Sequence, residues 1–313
     1  MQTPSFNELL DAGVHFGHLK RKWDPHMAPY IFMEKNGIHI IDLEKTIAKL
    51  EESAKAIKQI AKSGRKILFV ATKKQAKDIV AERIKTINMP YVTERWPGGM
   101  LTNFPTIRKA VKKMATIDKM ATDGTFENMS KRERLQVTRQ RAKLEKNLGS
   151  IADMARQPAA IFVVDIMKED IAVKEAHRLN ITVFGMVDTN SDPREVDFPI
   201  PANDDAAKSI TLIVDYIVAA VQEGLNERKM EKEKEAENKA KKAAEAKAKK
   251  EAAEVKAKEE AEAKKKENAE KNANETKDEP KDVKSEGKTD EDKKPKEPAK
   301  KVARKRKTPA KEK

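Results

Sequence analysis

The chain has no cysteine among its 313 residues, which excludes a disulfide framework and thiolate metal sites and suits a reducing compartment. It also lacks any run of ~18 apolar residues able to span a bilayer. Even ITLIVDYIVAAV (210–221) is interrupted by Asp215. The first residues, MQTPSFNELLDAG, lack the basic region and long apolar core of a signal peptide. We therefore expect a cytoplasmic protein with no membrane contact.

Large apolar residues are missing from the last part of the chain. Beyond Leu225 there is no Leu, Ile, Phe, Tyr or Trp, and residues 226–313 are mostly Lys, Glu and Ala. Such a segment buries too little apolar surface to offset the entropy of ordering it. We predict a folded domain at 1–225 and a charged, low-complexity tail at 226–313 that is disordered or partly helical.

Both parts are basic. The tail carries 31 Lys or Arg against 23 Asp or Glu, and the domain carries 35 against 29. A basic balance favours polyanionic partners such as nucleic acid, although a soluble protein can also be basic without binding one.

Three short apolar runs have the character of buried parallel strands: KILFVAT (66–72), AAIFVVD (159–165) and ITVFGMVD (181–188). Apolar residues recur at helical spacing in 43–61, 76–87 and 210–221, and we place the end of the last helix at Gly224. This alternation predicts an α/β fold with a parallel sheet.

Residues 105–150 break the alternation, because they contain no strand-like run. Ser130 and Glu133 form a capping-box pattern that opens the second of two helices, so we predict a helical hairpin. Its apolar content is low, which indicates an arm that projects from the domain. The second helix, KRERLQVTRQRAKLEK, is strongly basic, either as a solvated face or as a surface that follows phosphates.

Catalytic motifs are absent. Neither G-x-G-x-x-G nor G-x-x-x-x-G-K-[ST] occurs. Asp165 and Asp188 follow strands, where an aspartate usually caps a helix or forms a turn. The alternative is a doubly wound α/β enzyme that uses these two residues on a phosphorylated small molecule. Because no set of nucleophile, base and orienting group assembles around them, we predict no catalytic residue, no cofactor and no small-molecule substrate.

HFGHLKRKWDPHM (15–27) concentrates three of the 5 histidines and one of the 2 tryptophans. Zinc would need a fourth ligand and supporting groups, yet Asp24 is the one acidic neighbour, so we predict no metal at His15, His18 and His26. Two interpretations stay open: packing beneath a loop, or an RNA surface of cations and flat rings. ERWPGGMLTNF (94–104) holds the other tryptophan beside a tight Pro-Gly-Gly turn that permits close approach of a partner.

Several of these stretches together resemble the bacterial small-subunit ribosomal protein S-two family. The resemblance covers residues 5 to about 224 and is carried by GVHFGHLKRKWDPHMAPYIF, GIHIIDLEKT, KILFVATKKQA, ERWPGGMLTNF, VVDIMKEDIAVKEAHRLNI, VDTNSDP and PIPANDDAAKSI. It implies a flavodoxin-like or Rossmann-like five-stranded parallel sheet with flanking helices and an inserted, projecting helical hairpin. It further implies a place on the solvent side of the small subunit, near the junction of head and body. The tail departs from the family pattern.

The resemblance implies small-subunit rRNA and other small-subunit proteins as partners, including the large messenger-binding ribosomal protein S-one. We predict that twenty residues contact rRNA or order the loops that do. They are His15, His18, Lys20, Arg21, Lys22, Trp23, Lys73, Lys74, Arg95, Trp96, Gly98, Gly99, Thr102, Asn103, Arg108, Lys109, Arg132, Arg134, Arg139 and Arg141.

Overall fold

The computed structural model of the chain describes residues 3–124, 126 and 129–239. Most of the predicted tail, 240–313, lies outside the described residues. In chain order the elements are α1 (Phe6–Asp11), β1 (Phe16–Leu19), β2 (Ile31–Lys35), β3 (Ile38–Ile41), α2 (Leu43–Ser63), β4 (Ile67–Val70), α3 (Lys77–Thr86), β5 (Tyr91–Val92), α4 (Phe104–Thr122), α5 (Lys131–Leu148), β6 (Ala160–Val164), α6 (Asp170–Arg178), β7 (Thr182–Val187), β8 (Phe198–Pro201) and α7 (207–239).

The centre of the fold is a five-stranded parallel sheet in the order β5-β4-β6-β7-β8. Phe69, Phe162, Phe184 and Phe198 stand in register across four neighbouring strands. Two pairs of these rings are in contact, with centroids 5.5 Å apart for Phe69–Phe162 and 4.6 Å apart for Phe184–Phe198. The predicted α/β class and the three predicted strands are confirmed.

The two edge strands escaped the sequence analysis for different reasons. β5 has two residues, too few to show a pattern. β8 reads FPIP, and a proline within a run argues against a central strand because it lacks an N–H donor. At the edge of the sheet, where one side needs no donors, this sequence is tolerated.

Helices cover both faces of the sheet, as buried parallel strands require. The face with the phenylalanine row packs against apolar residues of α2, α3 and α7, including Leu50, Ile57 and Ile213. On the opposite face, Leu68, Val70 and Ile161 pack against α6 and the base of the helical hairpin. The carboxyl ends of the strands therefore meet at one edge between two rigid layers.

A smaller antiparallel sheet in the order β1-β3-β2 precedes α2. Asn36 and Gly37 join β2 to β3 with φ of 54° and 74°, the left-handed conformations that a two-residue type I′ turn requires. The basic segment Lys20–Lys22 forms a short 3-10 turn directly after β1. This sheet presents the histidine-rich segment.

The prediction that the last helix ends at Gly224 is wrong. The helix is continuous from 207 to 239, and Gly224 lies inside it. A Cβ at Gly224 would stand 2.5 Å from the carbonyl oxygen of Lys58, so this glycine allows α7 to pack closely against α2. In the described part of the chain, no helix is long and apolar enough to cross a membrane.

The first residues of the predicted tail contact the domain. The ammonium of Lys58 lies 2.8 Å from a carboxylate oxygen of Glu227, and that of Lys62 lies 2.7 Å from Glu231. The guanidinium of Arg228 occupies the space above Gly64, the left-handed cap of α2. The described start of the predicted tail, 226–239, is helical and is paired with α2.

The predicted helical hairpin is confirmed as α4 and α5, inserted between β5 and β6. The capping box of Ser130 and Glu133 opens α5 as predicted. Only Ile117 in α4 and Leu148 in α5 are buried among the described residues of these helices, so most of the arm is exposed to solvent.

Candidate nucleic-acid interface

The loop after β7 anchors the histidine-rich segment to the parallel sheet. Thr189 accepts a hydrogen bond from the backbone N–H of His18 through its hydroxyl, at 2.8 Å. Its carbonyl accepts another from the N–H of Asp24, also at 2.8 Å. A Cβ at Gly17 would stand 2.6 Å from the Thr189 methyl group, so glycine is required for this approach. The chain is thereby fixed on both sides of Lys20–Trp23.

We call Lys20–Trp23 the basic turn. Lys20, Arg21 and Lys22 are exposed, and the ammonium of Lys20 forms an ion pair with Glu34 at 2.7 Å. Within the described residues, Arg21 and Lys22 have no ion-pair or hydrogen-bond partner for their side chains. The half-buried ring of Trp23 contacts His39, with centroids 5.1 Å apart. Two cations beside a supported ring can meet phosphate and ribose.

The three histidines of the segment lie in different environments. His15 is half-buried against the ring of Phe16, and burial holds its pKa below the ordinary value. His26 lies 2.8 Å from Asp24 through Nδ1 and is exposed. His26 also lies 3.5 Å from Asp192 in the loop after β7, and His18 turns toward the carboxyl edge of the parallel sheet.

At that edge, side chains from four strand ends form what we call the carboxyl-edge cluster: His18, Lys73, Asp165, Asp188, Asp204 and Asp205. The ammonium of Lys73 lies 2.8 Å from Asp204, 2.6 Å from Asp205 and 3.3 Å from Asp165. The side chain of Lys73 is 12% exposed. The positive charge of Lys73 is therefore neutralised by carboxylates of the protein itself.

The electrostatics of the cluster follow from its excess of carboxylates. Burial raises the pKa of Asp204 to about 7, reinforced by the negative charges of Asp188 and Asp165 and opposed by Lys73. The carboxylate of Asp188, which lies 2.9 Å from Nδ1 of His18 and accepts its hydrogen bond, raises the pKa of His18 against the opposing effect of burial. The fold thus raises the proton affinity of both Asp204 and His18.

This edge is where α/β proteins commonly bind ligands. Here Asp165 accepts a hydrogen bond from the backbone N–H of Lys168, and Asp188 accepts one from that of Thr189. Both aspartates form turns, as the sequence suggested, and the hydroxyl of Thr189, which donates to Asp188 at 3.2 Å, is itself engaged by the backbone N–H of His18. The enzyme alternative gains no support from this arrangement.

One group of side chains in the described residues has the spacing of metal ligands. His18, Asp188 and Asp204 each bring a ligand atom within 4.8 Å of the others, and the second carboxylate oxygen of Asp204 is buried without a hydrogen-bond partner. The three could together hold a metal ion. Along the sequence the histidines have only Asp24 as an acidic neighbour, whereas the fold brings Asp188 and Asp204 to His18 from more than 160 positions away.

The Pro-Gly-Gly turn is held by a residue that the sequence analysis did not single out. Glu175 in α6 is 8% exposed and accepts hydrogen bonds from the indole N–H of Trp96 and the backbone N–H of Gly99, at 3.2 and 2.6 Å. It also accepts from the backbone of Leu101 and from both the backbone and hydroxyl of Thr102. One carboxylate therefore orders the whole turn.

Burial by itself would raise the pKa of Glu175, but the backbone N–H donors of the turn outweigh it and hold the pKa below its ordinary value of 4.5. A signal for this residue exists in the sequence. Glu175 lies on the helix face of Ala172 and Ala176, which are buried, and an acidic residue on an apolar face needs a partner.

The predicted residues of this turn have distinct positions. Trp96 is 7% exposed, so its ring orders the turn and does not offer a free stacking surface. Gly99 has a φ of 84°, which favours glycine, whereas Gly98 is exposed and faces open space. The side chain of Asn103 accepts a hydrogen bond from the Thr106 hydroxyl at the start of α4. Arg95 is exposed.

The arginines of the arm divide into two groups. Arg141 binds Asp118 across the hairpin and Glu145 on its own helix, and Arg134 donates to the carbonyl of Phe126. Arg108 donates to the carbonyls of Met154 and Ala155 at the arm's base. By contrast, several predicted cations are exposed and have no side-chain partner in the part of the chain that is described: Lys74, Arg95, Lys109, Arg132 and Arg139.

Comparison with known proteins identifies the family. The model of the family "Ribosomal protein S2" matches residues 9–224. The chain is 71% identical over 232 residues to the small ribosomal subunit protein uS2 of Bacteroides thetaiotaomicron, covering 74% of this chain and 84% of that protein. It is 72% identical over 233 residues to the protein of the same name from Flavobacterium johnsoniae, covering 74% of this chain and 92% of that protein. The chain belongs to the ribosomal protein S2 family.

Proposed function

We propose that the chain is a non-catalytic, structural component of the small ribosomal subunit in the cytoplasm and that it binds rRNA near the junction of head and body. The observation that carries the rRNA contact is a set of exposed cations whose side chains have no hydrogen-bond or ion-pair partner within the described residues, on the basic turn, after β4 and along the arm. Cations that are not neutralised within the protein are available to phosphates, which supply most of the affinity for nucleic acid.

The arm suits this role because its shape is set by contacts other than those cations. Arg141 ties α5 to α4 through Asp118, and the capping box fixes the start of α5. Arg132 and Arg139 are then free to follow an RNA backbone without weakening the hairpin.

Docking of ribosomal protein S-one is part of the same proposal, because the small antiparallel sheet exposes large apolar side chains, with Phe32 71% and Met33 48% exposed.

The test is sedimentation of extract from cells that express a tagged full-length chain. The tagged protein should migrate with small subunits, and small subunits lacking the chain should also carry less ribosomal protein S-one. A tagged chain found wholly at the top of the gradient would contradict the ribosomal assignment. Normal amounts of S-one on subunits without the chain would contradict only the docking role.

Replacing Arg132 and Arg139 together with glutamine should weaken binding to small-subunit rRNA without changing which RNA is bound. Each lost phosphate contact should make the plot of log affinity against log salt shallower by about 1. The melting temperature should not change, because neither side chain has a partner among the described residues. The control is Lys55→Gln, which removes one positive charge from a lysine that is 76% exposed on α2, so the slopes are compared per charge removed. Equal salt slopes for the double variant and this control would count against the arm.

The tail should contribute attraction to RNA that is independent of sequence. Truncation after residue 239 removes a basic segment whose last thirteen positions hold 7 Lys or Arg and 1 acidic residue. We expect an unchanged melting temperature, weaker RNA binding at low salt and a shallower salt dependence. Truncation after Leu225 should lower the melting temperature slightly, since it also removes Glu227 and Glu231, which pair with Lys58 and Lys62. Identical salt slopes for the full-length and truncated chains would exclude RNA contact by the tail.

A further inference from the structure

A cleft separates the Pro-Gly-Gly turn from the base of the arm. It has a volume of about 330 Å³. We call it the arm-base cleft, and it is lined by residues 95–98 of the turn, Ile107 of α4, and Lys143, Leu144, Asn147 and Leu148 of α5.

The inner wall of the cleft is apolar and fixed. Trp96 and Leu148 are 7% and 5% exposed, and Ile107 and Leu144 pack against the same core from partly buried positions. The turn cannot move freely, because the carboxylate of Glu175 holds it from Trp96 to Thr102. The cleft is therefore largely preformed, as ligand sites usually are.

The rim of the cleft is cationic and polar. Arg95 and Lys143 are exposed, and in the described structure neither has a side-chain partner. The same holds for the carboxamide of Asn147, which is half-buried. Gly98 stands at the mouth, and a Cβ built there would meet no atom within 4 Å. An approaching ligand thus finds two free cations, one amide and open space.

We propose that the arm-base cleft receives the base of one unpaired rRNA nucleotide, whose flanking phosphates are bound by Arg95 and Lys143. The proposal rests on the rRNA-binding function given above and specifies a contact within it. A nucleobase has flat faces that suit the apolar wall and a polar edge that the amide of Asn147 can bind. Unpaired nucleotides are the usual targets where proteins recognise individual bases of RNA.

Charge distinguishes this occupant from an apolar side chain of a neighbouring protein. A protein side chain would leave both rim cations without a counter-charge beside a dehydrated contact. A nucleotide brings its own phosphates to them. The basic face of α5, which includes Arg139 and Lys143, continues along the helix to the mouth of the cleft. It would bind the phosphates of the RNA strand that contains this nucleotide.

The experiment blocks the cleft in the full-length protein. Gly98→Leu adds bulk at the mouth where nothing obstructs it, and Asn147→Ala removes the edge contact without adding bulk. The control is Gln136→Leu, which places the same leucine side chain at an exposed position of α5 that does not line the cleft. Each protein is added to small subunits that lack the chain, and the bases are then probed with dimethyl sulfate and a carbodiimide. Thermal melting verifies that each variant is folded.

We expect the wild-type protein and Gln136→Leu to protect one unpaired base that becomes reactive again with Gly98→Leu and with Asn147→Ala. Binding by Gly98→Leu should be weaker than wild-type binding, because the base can no longer enter the cleft. If Gly98→Leu joins subunits and leaves the protected bases unchanged, the inference fails while the proposed function stands. Loss of a neighbouring protein from the subunit, with every base still protected, would assign the cleft to that protein. If the wild-type chain does not join subunits, both proposals fail.

Discussion

Glu175→Gln should lower the free energy of unfolding by about 3 kcal/mol, because hydrogen bonds to a charged acceptor are strong and buried donors left unpaired are costly. Glutamine keeps one acceptor oxygen, but its NH2 group replaces the other. The N–H groups of the turn that donated to that oxygen then face a group that cannot accept. The carboxylate accepts from Trp96, Gly99, Leu101 and Thr102 at present, so several buried groups lose their partner together. The turn at 96–102 should become mobile as a unit.

Chemical denaturation at neutral pH measures this effect, and hydrogen exchange of the Gly99, Leu101 and Thr102 amides locates it. Glu82→Gln is the matched control, since Glu82 is exposed on α3 and has no side-chain partner within the described residues. An equally small loss of stability in both variants would contradict the anchoring role of Glu175. So would amides in the turn that exchange no faster than in the wild type.

The difference in the free energy of unfolding between wild type and Glu175→Gln should depend on pH in one direction. The pKa of Glu175 in the fold lies below its ordinary value of 4.5, so its contribution to stability is complete above that value. The contribution is lost as the pH falls through the lowered pKa. The stability difference between wild type and Glu175→Gln should therefore be constant around neutral pH and shrink in acid.

Much of the fold was predictable because its signals are local. The three central strands are continuous apolar runs, and the capping box at Ser130 marks the start of α5 without reference to the rest of the chain. The Asn36–Gly37 hairpin had an equally local signal, which the sequence analysis overlooked. Gly224 could not be read correctly, because only the position of α2 distinguishes a glycine for close packing from a glycine that ends a helix.

The candidate interface was less predictable, because a cation's availability depends on its partners in space. Arg139 and Arg141 lie two residues apart on one helix, yet only Arg141 is engaged by Asp118. Trp23 and Trp96 both occur beside basic residues, yet Trp96 is almost fully buried. Composition selects the basic and aromatic segments, and the fold then engages some of their side chains in contacts within the protein.

Lys73 and Lys74 are neighbours in sequence, but Lys73 is paired inside the protein and Lys74 is exposed. Replacing each with glutamine should therefore affect different properties: stability for Lys73 and RNA binding for Lys74. Lys73→Gln should lower the free energy of unfolding by about 3 kcal/mol, because removal of one partner leaves buried charge uncompensated. Asp204 is fully buried, and its carboxylate lies 2.8 Å from the lysine that would be lost. Lys74→Gln should leave stability unchanged, since its side chain is exposed and unpartnered in the described structure, but should make the salt dependence of rRNA binding shallower by about 1.

Stability measured against pH separates this explanation from a general packing defect. Because the pKa of Asp204 is raised to about 7 in the fold, its contribution to stability is complete below its ordinary value of 3.8 and is lost as the pH rises through about 7. Without Lys73, ionisation of Asp204 becomes still more costly, so the deficit of Lys73→Gln should grow from pH 5 to pH 8. A deficit that is the same at both ends of that range would mean that Lys73 stabilises the sheet edge by packing alone. Equal effects of Lys73→Gln and Lys74→Gln on unfolding would remove the distinction between the two lysines.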